Sequence, residues 1–152
     1  MMAMQTPAHW AARLIGKPYR RGAAGPDAFD CWGLVRYVFA LQHRVALPAV
    51  NIGAPPCGDA TAGEETAAAV LLQAARASGF APVAGPLQAD DVLLMRNAEA
   101  GRHIGVLIAH RGTVKLLHAC SGHGVRLQPL ADVRLEGFHR FEPWRHAAGG
   151  AA

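Results

Sequence analysis

The chain has 152 residues, 51% of them hydrophobic and 17% charged, with a formal net charge of +4. That length and balance specify one globular core, and exclude a disordered chain as well as a helical membrane protein, because no apolar run nears the roughly 18–20 residues of a span. Three cysteines, Cys31, Cys57 and Cys120, scattered without CxxC spacing, exclude a disulfide framework and predict at least one free thiol, as suits synthesis under reducing conditions.

In chain order, the first expected element is a short helix from Pro7 to Ile15, closed by Gly16 and Pro18. A Gly/Pro-rich loop, Gly22 to Pro26, comes next. Leu34, Val35, Val38, Phe39 and Leu41 then recur at helical spacing, so Cys31 falls in the first turn of a helix, on its buried face. Leu47 to Gly63 is an irregular segment whose Pro55-Pro56 fits neither helix nor central strand, and its length suits a binding loop. Thr61 to Ser78 reads as a second helix ended by Gly79. From Asp91 the period shifts to strands: Val92–Met95, Ile104–His110, Thr113–Ala119, Val125–Gln128 and Gly137–Glu142. Helices first and short strands later make an α+β fold, N-terminal helices packed on a central antiparallel sheet of about five strands. Residues 1–146 form the expected single domain, and 147–152 a frayed tail.

A cysteine in the first turn of a helix lies at the positive end of the helix dipole, which favours thiolate over thiol and lowers its pKa from about 8.5. The facing sheet supplies a base. If His110 and Thr113 flank the two-residue turn Arg111-Gly112, His118 lies opposite Gly105 and Cys120 opposite His103. His103 and His118 then project from one face as diagonal neighbours, together with Gly105, Leu107, Ala109, Val114 and Leu116, a surface small and apolar enough to receive the Cys31 helix. Cys31 as nucleophile, His103 as base and His118 as orienter make a thiol hydrolase, with backbone N–H groups of the helix start, that of Cys31 included, holding the oxyanion.

Net positive charge fits an anionic partner such as nucleic acid, a membrane surface or bacterial cell wall. Nucleic acid is disfavoured. Arg134, Arg140 and Arg145 lie near Phe138, Phe141 and Trp144, but Phe138 to Glu142 reads more simply as a short edge strand with charges on its wet side.

Gly16-Lys17-Pro18-Tyr19, Phe29-Asp30-Cys31-Trp32-Gly33-Leu34-Val35, Gly101-Arg102-His103-Ile104-Gly105-Val106, Leu117-His118-Ala119 and Gly124-Val125 together resemble the NlpC/P60 family of cell-wall cysteine peptidases. Each motif alone is weak, but their order and spacing across nearly the whole chain are specific. The resemblance implies a papain-like α+β fold, no cofactor, and hydrolysis of peptidoglycan stem peptides, commonly between D-glutamate and diaminopimelate. It implies Cys31, His103 and His118 as catalytic triad. Tyr19 and Asp30 match positions that hold the free amine of the stem peptide, and Trp32 and Arg102 join them as expected substrate-binding residues. Trp32 stands where members often carry serine, and with it the chain resembles the phage-tail and prophage subgroup. That subgroup's place is a virion tail tip, with tail or baseplate hub proteins as partners, synthesis in the bacterial cytoplasm without a signal peptide, and action on the cell wall in the periplasm. Val45 to Ile52 is then an insertion serving the substrate groove or a tail partner.

Simpler roles stand beside these. Asp30 equally suits the helix N-cap, Tyr19 and Trp32 suit packing, and His118 suits a core histidine bonded to backbone. His9, His43, His123, His139 and His146 belong to no constellation. Three rival functions remain: a zinc site drawing on His103, His110, His118, Cys120 and His123, a catalytically idle tail component with the same fold, and a thiol hydrolase acting on an ester or acyl chain. Against zinc, strand alternation sends His110 to the opposite face and Cys31 has no part in the site.

Overall fold

The computed structural model describes residues 10–49, 76–97 and 102–148. Helix α1 spans Cys31–His43. It is followed by strands β1 (Phe80–Pro82), β2 (Val92–Asn97), β3 (Arg102–His110), β4 (Thr113–Cys120) and β5 (Gly124–Gln128), helix α2 (Leu130–Leu135) and strand β6 (Phe138–His146). The strands form one six-stranded antiparallel sheet in the order β1-β6-β2-β3-β4-β5. The architecture is therefore α+β as expected, with β1 and α2 added to the predicted elements.

Helix α1 begins where Asp30 can cap it. One carboxylate oxygen accepts from Gly33 N–H at 2.6 Å, and the other accepts from Gly22 N–H at 2.8 Å, tying the helix start to the preceding loop. The glycine at position 33 is required sterically, because a Cβ there would run into the Ala23 carbonyl and the Asp30 carboxylate. At its other end Arg44 turns left-handed, φ 55°, and its N–H closes on Phe39 O.

The apolar stripe Leu34, Val35, Val38 and Phe39 packs on Val92, Leu94, Ile104, Val106, Ile108, Leu117, Ala119 and Val125. Each fully buried aliphatic or aromatic side chain here stabilises the fold by roughly 1.5–3 kcal/mol. This corrects the expected docking face. The helix covers the even-numbered face of β3, whereas Leu107 and Leu116 lie on the reverse of the sheet with Leu93, Met95, Val133 of α2 and Phe138. Both faces of β3 and β4 are apolar, and the branched stripe Ile104, Val106 and Ile108 gives the helix more surface than Gly105 and Ala109 could.

Strand β6 corrects a second expectation. It is an interior strand between β1 and β2, not an edge. Its pairing with β2 slips between Arg96 and Asn97, so that Arg96 faces Arg140 and Asn97 faces Phe138. The slip re-aims one side chain, as β-bulges do, and turns Phe138 onto the reverse face beside His103, ring centroids 5.4 Å apart. Asp91, fully buried at the start of β2, is clamped by Arg145 of β6 through Nε at 2.7 Å and a terminal nitrogen at 2.9 Å.

Of the other expected elements, residues 10–16 form a short helical turn, and Pro7 to His9 lie outside the described residues. Most of the Thr61–Ser78 helix and the stretch from Val50 to Gly63 also lie outside them, as do Cys57 and residues 149–152. No helix among the described residues is long and apolar enough to cross a membrane.

Candidate active site

The predicted hairpin register holds. His110 pairs with Thr113, and the last rung of the β3–β4 ladder joins Val106 to Leu117. The turn takes left-handed values at both Arg111, φ 52°, and Gly112, φ 82°, the combination that suits a two-residue hairpin. Beyond the last rung His103 and His118 meet on the reverse face, both buried. Gly105 makes room for this. A Cβ on it would come within 2.8 Å of Leu116 Cδ1 and 3.0 Å of His118 Cβ.

His103 Nε2 lies 2.7 Å from His118 Nδ1, and His118 Nε2 lies 2.6 Å from Gln128 Oε1. The side-chain nitrogen of Gln128 donates to Glu136 at 2.9 Å, and Glu136 receives both terminal nitrogens of Arg126 at 2.6 and 3.3 Å. The chain of bonds has one consistent direction. Glu136 accepts only, so Gln128 turns its amide nitrogen outward and its oxygen toward His118. His118 therefore donates from Nε2 and accepts at Nδ1, and His103 donates from Nε2. A neutral His103 is thereby left with its lone pair on Nδ1. Burial holds His103 below the usual histidine range, with the charges of His118 and Arg126 adding to it and Cys120 opposing, so the neutral form prevails near pH 7.

Cys31 reaches this region from the other side of the sheet. Its sulfur receives the backbone N–H groups of Ile104, the residue after His103, and of Trp32. The Ile104 N–H lies beyond the paired part of β3 and β4, so the thiol sits where the two strands part. Burial pushes the Cys31 thiol up to about 12, and the Asp30 and Cys120 charges push the same way. This corrects the expected thiolate. The two N–H groups at the sulfur act to lower its pKa and are outweighed by desolvation.

Cys120 is the site residue that sequence reasoning left in a rival scheme. Its sulfur is buried 3.2 Å from His103 Nε2 and 3.5 Å from His118 Nδ1, and its charge is felt by Cys31. Among the described residues, neither Cys31 nor Cys120 is in a disulfide. Gln128, Glu136 and Arg126 were also missed; their only sequence signal is polar side chains on the strand after the second histidine and on the helix end beyond it.

The remaining expected residues are spread around the helix start. Asp30 is the N-cap. Tyr19, half-buried, packs against the helix-side core, its backbone bridging Phe29. Trp32 is buried with its indole N–H donating to Pro48 O at 2.9 Å. The backbone of Arg102 pairs with Arg96, and its side chain lies outside the described residues. Of the rival zinc set, His123 is exposed on the β4–β5 turn, and among the described residues only His103, His118 and Cys120 converge. His146 is structural, bonded through Nε2 to Ser78 O at 2.7 Å and set edge-on to Phe39 and Phe80.

The sequence pattern of the NlpC/P60 family matches residues 16–137. This chain belongs to the NlpC/P60 family. Members of this family are cysteine peptidases, and the matched span holds Cys31 and both histidines. No curated protein matches the chain. Among solved structures, the NlpC/p60 domain of the peptidoglycan hydrolase SagA is similar at 21% identity and a TM-score of 0.52, over 87% of this chain and 90% of that one. A Bacteroides fragilis protein provisionally assigned as a xylanase is similar at 12% identity and a TM-score of 0.54, over 87% and 97%. At such identities the likeness is one of fold: the papain-like arrangement of the NlpC/P60 family.

Proposed function

We propose that this NlpC/P60 member is a cysteine endopeptidase that cuts peptidoglycan stem peptides, at the bond between D-glutamate and diaminopimelate, with Cys31, His103 and His118 as its triad. The observation that carries this reading is the bond chain from Arg126 to His103, which leaves a lone pair on His103 Nδ1 while the Cys31 sulfur lies against the neighbouring Ile104 N–H.

The resting pair is neutral thiol and neutral imidazole. As Sγ attacks the scissile carbonyl, the thiol proton passes to His103 Nδ1 and the carbonyl oxygen becomes an oxyanion. In the first turn of α1, Leu34 N–H bonds Asp30 O, Gly33 N–H bonds the Asp30 carboxylate and Trp32 N–H faces the sulfur. The Cys31 N–H is the donor left for the oxyanion. Collapse of the intermediate expels the amine, which takes the proton from His103, and water activated by the same nitrogen hydrolyses the thioester.

Tyr19 and Asp30 beside the helix start are suited to bind the substrate's free amine. Trp32 would shape the groove indirectly by fixing the Pro48 carbonyl, and the positive charge of Arg102 suits an anionic stem peptide. The resemblance carried by Trp32 supports a place on a phage or prophage tail tip, in contact with hub proteins and opening the wall locally during genome delivery. Proteomics of purified tails from a producing strain tests that place.

Digestion of diaminopimelate-type peptidoglycan by the wild type and by Cys31→Ala, with fragments read by mass spectrometry, tests the activity. New stem-peptide ends from the wild type alone are expected. No fragments from either protein would favour an idle structural component with this fold.

A further inference from the structure

His103, His118 and Cys120 turn three ligand atoms toward one another in the interior: the two ring nitrogens are 2.7 Å apart, and the sulfur is 3.2 and 3.5 Å from them. All three residues are buried, and they are the cluster able to hold a metal ion among the described residues. A tetrahedral zinc ion, with Zn–N near 2.0–2.1 Å and Zn–S near 2.3 Å, holds two nitrogens roughly 3.3 Å apart and nitrogen and sulfur roughly 3.6 Å apart. The observed triangle matches one face of that tetrahedron once the nitrogens separate by about 0.6 Å and the sulfur moves about 0.4 Å from His103 Nε2. Gln128 already orients His118 from behind and is itself held by Glu136, the outer support that a ligating imidazole needs.

We propose that His103, His118 and Cys120 form a His2Cys site for a borderline-soft divalent transition ion, zinc foremost, whose occupancy shuts off the peptidase. The inhibitory half rests on the reading of His103 as base; the binding half does not. The proton balance explains the inhibition. Cys120 binds as thiolate and releases one proton to solvent. His103 binds through Nε2, so its ring proton moves to Nδ1, the atom that must accept the Cys31 proton. His118 binds through Nδ1 and keeps its Nε2–H on Gln128. The site thus competes for the same imidazole that catalysis uses, and metal and turnover exclude each other.

The test uses the full chain, freed of metal with a chelator and titrated with Co2+ as the spectroscopic probe. Saturation at one ion per chain is expected, with a thiolate-to-cobalt charge-transfer band and tetrahedral d–d bands that Zn2+ bleaches. Cys31→Ala should keep the charge-transfer band. Cys120→Ser should lose it and bind zinc at least about tenfold more weakly, and His118→Asn should also weaken binding. Circular dichroism checks that each variant is folded. Absence of a stoichiometric band in the wild type, or its survival in Cys120→Ser, overturns the site. In the peptidoglycan assay, zinc should abolish cleavage over the concentration range in which it binds; binding without loss of cleavage overturns the inhibitory half. A protein that binds cobalt as described yet never cleaves leaves the site standing and refutes the peptidase reading instead.

Discussion

Gln128 fixes which nitrogen of His118 carries a proton: its amide oxygen lies 2.6 Å from His118 Nε2, and its amide nitrogen is committed to Glu136 at 2.9 Å. Through His118 the same bond sets the tautomer of His103, so a side chain two hydrogen bonds from the proposed base determines where that base's lone pair points.

Gln128→Leu should therefore lower kcat with little change in KM. A positioned general base contributes roughly 10²–10⁴-fold, and loss of tautomer control should forfeit about 100-fold. Steady-state kinetics on a soluble stem peptide checks this, beside a melting curve showing that the variant remains folded. An unchanged kcat would mean that His103 is oriented by other groups.

The resting thiol is neutral, and this has a pH signature. Burial raises Cys31 to about 12, so alkylation by iodoacetamide in the absence of substrate should be slow at pH 7 and should accelerate continuously above pH 9. His103 is shifted down, so kcat/KM should rise with an apparent pKa below the ordinary 6.5 of histidine and then stay level through neutral pH. Rapid alkylation already at pH 6 would indicate a thiolate–imidazolium pair instead.

Stability follows the same shifts with the sign worked out. Cys31 ionises more readily unfolded, near 8.5, than folded, so its contribution is complete below that pH and declines as pH rises toward about 12. His103, with its folded pKa depressed, contributes fully above about 6.5 and loses that contribution as pH falls. Denaturant unfolding from pH 5 to 10 should show both slopes, and Cys31→Ala should flatten the alkaline one.

The hairpin register could be read from Arg111-Gly112, because only a short list of two-residue turns joins antiparallel strands, and His118 then had to lie beside Gly105. The face that receives α1 could not. Alternation identifies a buried face when the other face is wet, but β3 is apolar on both, with Ile104, Val106 and Ile108 on one side and Leu107 on the other. The Cys31 helix motif was legible from its cap and stripe, whereas the pKa of its thiol was not, since dipole and desolvation oppose each other and burial is a tertiary property. Strand β1 has three residues and α2 six, too short for a periodic signal. Arg126, Gln128 and Glu136 converge only through the turn of chain that α2 makes.

Gly105→Ala should be costly at the site. The added methyl would meet Leu116 Cδ1 at 2.8 Å and His118 Cβ and Leu117 O at 3.0 Å, in a packed strand pair with no slack. Overpacking of this kind costs about 1–3 kcal/mol, and displacement of His118 should reduce kcat beyond what the lost stability explains. Thermal unfolding and kinetics on the same preparation separate the two effects.

Asp30 has two roles that substitution can separate. Asp30→Asn keeps the acceptor for Gly33 N–H but loses the one for Gly22 N–H, and should cost less stability than Asp30→Ala, which loses both and should cost about 1 kcal/mol. Both remove the charge proposed to hold the substrate amine, so both should raise KM for stem peptides with a free amino end and leave N-acetylated ones less affected. Equal KM changes for the two peptide types would assign Asp30 to capping alone.

Two buried or half-buried thiols lie near one imidazole, Cys120 at 3.2 Å and Cys31 at the adjacent backbone, and the account assigns attack to Cys31. The most direct test is to trap the nucleophile with a stem-peptide acyl fluoromethyl ketone and locate the adduct by peptide mapping. The prediction is a single adduct on Cys31 that is lost in His103→Ala. An adduct on Cys120, or none on either cysteine while the protein is folded, would contradict it.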